Sequence, residues 1–247
     1  MVLWFLIVLG LLTLGPLWSL ASGRVPLGGD WRTATHRSSG LAPDPETHRE
    51  AIVQVYASRT FGWRGAFAVH TWLAAKPNDA DRYTRYEAIG WFARAGHSVV
   101  SVSGTRAADA EWYGAAPVMI RELRGADAEA VIAKLPDAVA SYPHEHSYSA
   151  WPGPNSNTFI AHIARKIPEL RLTLPSNAIG KDYLPLGDVV ARTPSGTGYQ
   201  FSLSGLLGAS AARDEGIELN VLGLVLGLDL RGPALKLPGI GRVPSGA

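Results

Sequence analysis

Apolar residues fill the first twenty positions almost without interruption, and no charged side chain occurs before Arg24. About twenty such residues suffice to cross a bilayer, although Gly10 and Pro16 weaken the helix. Residues 1–22 are therefore expected to form a transmembrane or signal-anchor segment. Ser19-Leu20-Ala21 offers the rival reading of a signal-peptide cleavage site, but the usual basic leader is missing. Residues 23–50 mix Gly, Pro, Ser, Thr and charge with no period, which reads as a linker.

From Ala51 the pattern becomes periodic. Ile52, Val53, Val55 and Tyr56 form a β-prone run. Ala66 to Ala74 alternates as a strand, with Phe67, Val69, Thr71 and Leu73 on one face and His70 and Trp72 on the other. Lys76 to Asp81 is a turn, Tyr83 to Trp91 a returning strand, and Ser98 to Ser103 a further strand. Asp127 is placed to cap a helix through Val131, Leu135, Val139 and Tyr142, which Pro136 should kink or split. Pro152, Gly153 and Pro154 make a rigid turn. Phe159, Ile160, Ile163 and Ile167 then follow at helical spacing, and Asn155, Ser156 or Asn157 can each cap the first turn.

Asn177 to Tyr183 is polar with a central Gly and reads as a loop. Tyr199, Phe201 and Leu203 alternate, as do Ile217, Leu219 and Val221. The phase then slips to Leu222, Leu224, Leu226, Leu228 and Leu230, which predicts a β-bulge or sharp bend. The order of strands, helices and strands predicts an α+β fold with an antiparallel sheet over residues 51–190. Residues 191–247 are expected to extend that domain with further β-structure.

Composition narrows the chemistry. With 247 residues, 47% of them hydrophobic and 18% charged, the chain can build a proper core. A net charge of only +2 is no nucleic-acid footprint, and nucleic acid is set aside as a partner. The absence of Cys excludes disulfides, thiolate zinc sites and a thiol nucleophile. No metal or cofactor is expected. His144-Glu145-His146 follows Pro143 in a loop without a third ligand. Ser195-Gly-Thr-Gly198 lacks the third Gly of a nucleotide fingerprint. Arg24, Arg32 and Arg37 all follow the apolar segment, which by the positive-inside rule alone would leave the domain cytoplasmic. So short a bias is weak, and the expectation adopted is a single-pass protein of the cytoplasmic membrane with a periplasmic soluble domain.

The candidate chemistry joins a strand to a helix. Ser156 lies on the apolar stripe of its helix, at the N-terminus, where unpaired N–H groups favour negative charge. It is either a cap or a nucleophile. A serine nucleophile needs a base, and His70 is the candidate. Trp72 shares the His70 face, and Lys181-Asp182 in the polar loop could contact a ligand or each other.

These residues also carry a resemblance. His70-Thr71, Tyr86-Glu87 with Gly90, and Asn155-Ser156-Asn157-Thr158-Phe159 resemble the PPPDE-type and other circularly permuted papain-like peptidases. The resemblance implies a permuted papain-like fold, with the nucleophile-position helix packed on an antiparallel sheet. It also implies that Glu87 orients the His70 base and that Asn155 or Asn157 lines an oxyanion site. Ser156 stands where those peptidases have Cys, and a hydroxyl needs a far better aligned base than a thiol does. The sequence further resembles an uncharacterised bacterial family, a domain of unknown function. The marks of that family are Trp-Arg-Thr-Ala at 31–34, Gly-Trp-Arg-Gly at 62–65, Pro-Gly-Pro-Asn-Ser-Asn-Thr-Phe at 152–159 and Ala-Ile-Gly-Lys-Asp-Tyr at 178–183. Two functions are consistent with this: a membrane-anchored serine-type acyl hydrolase, or an inactive papain-like module of the cell envelope. The second would bind a peptide, glycan or lipid ligand.

Overall fold

The computed structural model describes residues 2–25, 27–28, 30–185 and 187–244, with side chains of the first helix described from position 9 onward. The elements are α1 (Val2–Ala21), β1 (Ile52–Arg59), β2 (Val69–Lys76), β3 (Thr84–Ala88), the short α2 (Gly90–Arg94), β4 (Val100–Ser103), β5 (Val118–Arg124), α3 (Gly125–Ile132), α4 (Leu135–Ala140) and α5 (Ser156–Lys166). Seven more strands follow: β6 (Val190–Arg192), β7 (Gly198–Leu203), β8 (Leu207–Ala212), β9 (Gly216–Val221), β10 (Leu224–Asp229), β11 (Ala234–Leu237) and β12 (Gly241–Val243). The fold is α+β with two antiparallel sheets.

The first sheet has the order β4-β3-β2-β1-β5. Strand alternation divides its residues into two layers. Val53, Val55, Val69 and Leu73 pack with Phe159, Ile160 and Ile163 of α5 into the main core. Tyr56 and Trp72 point the other way and pack with Trp112. β5 was not expected from its pattern, because it is an edge strand with an exposed Val118 and Met119. Pro136 does split the expected helix, falling in the first turn of α4. Asp127 is not a cap. Arg124 holds the N-cap position, and Asp127 sits inside the first turn, where its charge suits the helix dipole.

The second sheet is a plain meander, β6 to β12 in sequence order. The slip after Val221 is neither bulge nor bend but the turn of the β9–β10 hairpin. Leu222 and Gly223 both take positive φ, 54° and 79°, as a two-residue turn of the favoured twist requires. Residues 23–50 are tied down where a free linker was expected: buried Asp109 accepts hydrogen bonds from the Ser38 hydroxyl and the amides of Leu41 and Ala42.

The second half of α1 docks on the domain. Leu12, Pro16 and Ser19 are buried, and the Ser19 hydroxyl donates to the Gly239 carbonyl at 3.1 Å. Gly15 passes so close to the β11–β12 turn that a Cβ would lie 2.0 Å from the Pro238 oxygen. Among the described residues no helix is long and apolar enough to cross a membrane. The expected anchor begins on positions 1–8, whose side chains lie outside the described residues.

Candidate functional site

The start of α5 is a closed hydrogen-bond lattice. Asn155 is the N-cap: its side-chain oxygen accepts from the amides of Asn157 and Thr158, and the Thr158 hydroxyl accepts from the Asn155 amide. Both protons of the Asn155 amide group are also engaged, by the carbonyls of Ala150 and Ile179. The Asn157 side chain donates to the carbonyls of Val69 and Ile179 and accepts from the Thr71 hydroxyl. Neither asparagine has a donor left for an oxyanion, contrary to the expectation. Gly180 is required here, with φ at +96° and room for no Cβ, since one would fall 2.4 Å from Asn155. The Thr158 hydroxyl donates to its carbonyl. The stretches 152–159 and 178–183 are thus one structural unit. Asn155→Ala should cost roughly 2–3 kcal/mol, combining a lost cap with an orphaned Ala150 carbonyl. Denaturant unfolding in detergent measures it.

Ser156, the first residue of α5, is 3% exposed. The Tyr148 hydroxyl lies against its hydroxyl and amide. Burial raises the Tyr148 pKa, and the Ser156 contacts oppose that rise only in part, so the phenol stays protonated at neutral pH. Gly90 explains itself at this point, because a Cβ there would meet the Tyr148 ring at 2.6 Å.

His70 is equally buried, at 3% exposure, but in the other layer. Its ring stacks on Trp112 with centroids 3.6 Å apart and planes 5° from parallel. Its Nε2 lies 3.0 Å from Glu87 Oε2. The same carboxylate oxygen accepts from Arg85 at 2.9 Å, while Arg106 reaches the other oxygen at 3.4 Å. Arg85 is itself laid over the Trp72 ring at 4.0 Å. Burial lowers the His70 pKa despite Glu87 and keeps the ring neutral, so Nε2 carries the proton donated to Glu87. Burial works to raise Glu87, but His70 and Arg85 outweigh it and hold the carboxyl at about 2.

The expected pairing of Glu87 with His70 is therefore present, whereas that of His70 with Ser156 is not. Thr71, one residue on, points to α5 and bonds Asn157. Alternation sends His70 to the opposite face, among Trp112, Arg85 and Glu87. Among the described residues no hydrogen bond joins Ser156 and His70. Trp72 is fully buried and donates its indole N–H to the Ala108 carbonyl.

Lys181 and Asp182 face each other and the second sheet. The Lys181 ammonium bonds Asp182 at 3.1 Å and also Glu218, whose other oxygen takes Lys236 at 2.7 Å. Asn220 donates to Asp182, and Arg165 bridges the Lys181 carbonyl and Gln200. Burial works against the Lys181 charge, yet Asp182 and Glu218 raise its pKa above the ordinary value. This pair fastens the two sheets together. Arg85, Trp112, Tyr148, Glu218 and Lys236 went unread in the sequence. Arg85 and Glu87, two apart on one strand, had to share a face, but nothing in the pattern marks that face as buried.

A family model described as protein of unknown function (DUF3750) matches residues 50–183, more than half of the chain. The chain belongs to the DUF3750 family. The DUF3750 span takes in the first sheet, α5 and the Gly180 loop, and it stops just after Lys181-Asp182 docks on the second sheet. No curated protein and no solved structure matches the chain significantly.

Proposed function

We propose that this DUF3750 protein is a non-catalytic binding module of the cell envelope, a permuted papain-like fold that keeps the framework without the chemistry. The observation that carries the reading is that, among the described residues, no hydrogen bond joins Ser156 to His70, while buried His70 is stacked on Trp112 and bonded to Glu87. A serine without a base in reach is no nucleophile. The papain-like ancestry is supported by the order of elements: a His-bearing strand, a Glu-bearing return and a capped helix at the nucleophile position. A single N-terminal segment attaches the protein to the cytoplasmic membrane, with the folded part on the periplasmic side. Retention of that segment is favoured by the burial of Ser19, which cleavage near Ala21 would remove.

The groove beside Arg106 is the candidate ligand site. Asp44, Asp81, Arg82, Tyr83 and Thr105 line it with both signs of charge and hydroxyls, which suits a polar peptide or glycan. A fluorophosphonate probe decides the catalytic question. No labelling is expected of the folded protein in detergent, and Ser156→Ala should leave ligand binding intact. Labelling that disappears in Ser156→Ala would overturn the reading in favour of a serine-type acyl hydrolase.

A further inference from the structure

The second sheet is patterned in reverse. An antiparallel sheet with one covered face ordinarily turns its apolar side chains inward and its polar ones to water. Here the inward positions include Gln200, Ser202, Glu218, Asn220 and Lys236, all buried and hydrogen-bonded within the fold, beside only the small apolar Val225 and Ala234. The pairing register of β7 to β12 places no charged residue at any outward position. Phe201, Leu219 and Leu235, on three different strands, are 43%, 50% and 51% exposed. So broad an apolar face is not a water-facing surface.

We propose that this outward face lies on a lipid bilayer, seated at the headgroup–acyl boundary beside α1. Four observations commit it to lipid. The apolar α1 packs on the β11–β12 end of this same sheet, through Gly15 at Pro238 and Ser19 at Gly239, so an anchor in the bilayer brings the sheet with it. The strands have at most six residues, about 20 Å, too short to cross the roughly 30 Å hydrocarbon core, so the sheet lies on the membrane. Among the described residues the inner strands of the meander are paired on both sides, and the edge strands β6 and β12 on one, so these edges must remain at headgroup depth. At the β6 edge, Arg192 stands outward opposite Tyr199 with its guanidinium 4.8 Å from the ring, an aromatic and cationic pair suited to phosphate headgroups. The inference rests on the membrane attachment proposed above and is independent of what Ser156 does.

The absence of Cys makes the test clean. Leu219→Cys and Phe201→Cys of the full chain, each labelled with the environment-sensitive fluorophore NBD, are reconstituted into vesicles of phosphatidylethanolamine and phosphatidylglycerol. Glu145→Cys, in the exposed 143–147 loop, is the control. The expected result is blue-shifted emission at 201 and 219 that doxyl-labelled lipid strongly quenches, with neither effect at 145. Protein that floats with the vesicles but shows water-like emission at 201 and 219 overturns the lipid face alone. A blue shift without lipid quenching assigns the face to a second protein copy and overturns it equally. Failure to float removes the attachment as well.

Discussion

Glu87→Ala is expected to lower the unfolding free energy by about 3–5 kcal/mol, because it strands a buried guanidinium. Glu87 takes hydrogen bonds from His70, Arg85 and Arg106, and Arg85 is 2% exposed. Two of the Arg85 nitrogens, Nε and Nη1, already lack partners. Removing the carboxylate leaves the charge held by the Trp72 and Trp112 faces alone among the described residues. The denaturant midpoint should fall with the slope unchanged. The same cluster sets an acid limb. Glu87 goes from an ordinary 4.5 to about 2 on folding, so its contribution, about 3 kcal/mol, is present above pH 4.5 and fades as pH falls toward 2. His70, lowered by burial from 6.5, likewise favours the folded state above pH 6.5 and loses that contribution below it. Stability should therefore fall in two stages on acidification. His70→Gln should remove the upper stage, as unfolding titrations across pH would reveal.

The second large effect is expected at the junction of the sheets. Glu218→Ala leaves the Lys181 and Lys236 ammoniums buried together without the carboxylate that both bond. The loss should again reach about 3–5 kcal/mol. Its signature differs from that of Glu87→Ala: the second sheet should loosen first, and limited proteolysis should cut after Tyr183 before the DUF3750 domain unfolds. Adding Lys236→Met to Glu218→Ala should recover part of the stability, because the Lys236 charge left without a carboxylate is gone, while Lys181 keeps Asp182.

Much of this was legible in the chain. The alternation of Val69 to Leu73 already put His70 and Thr71 on opposite faces, and the α5 stripe already turned Ser156 inward. Those two facts bear directly on the Ser–His pair, but a strand's faces are known only relative to each other until a partner is seen. Thr71 bonding Asn157 supplies that reference, and it assigns His70 to the far side. The outward apolar positions of β7 to β10 were equally plain as alternation. Their orientation was hidden, because a period of two does not say which half faces the core. Lys181-Asp182 looked like exposed loop chemistry, since its partners Glu218 and Lys236 lie far along the sequence.

The placement of His70 relative to Ser156 is best tested on the imidazole itself. Nitrogen chemical shifts of His70 across pH should show a neutral ring protonated on Nε2, with a pKa below the ordinary value. Ser156→Ala should leave shifts and pKa unchanged, while Glu87→Gln should move both. A His70 titration that responds to Ser156→Ala would show the two residues coupled and would contradict the account.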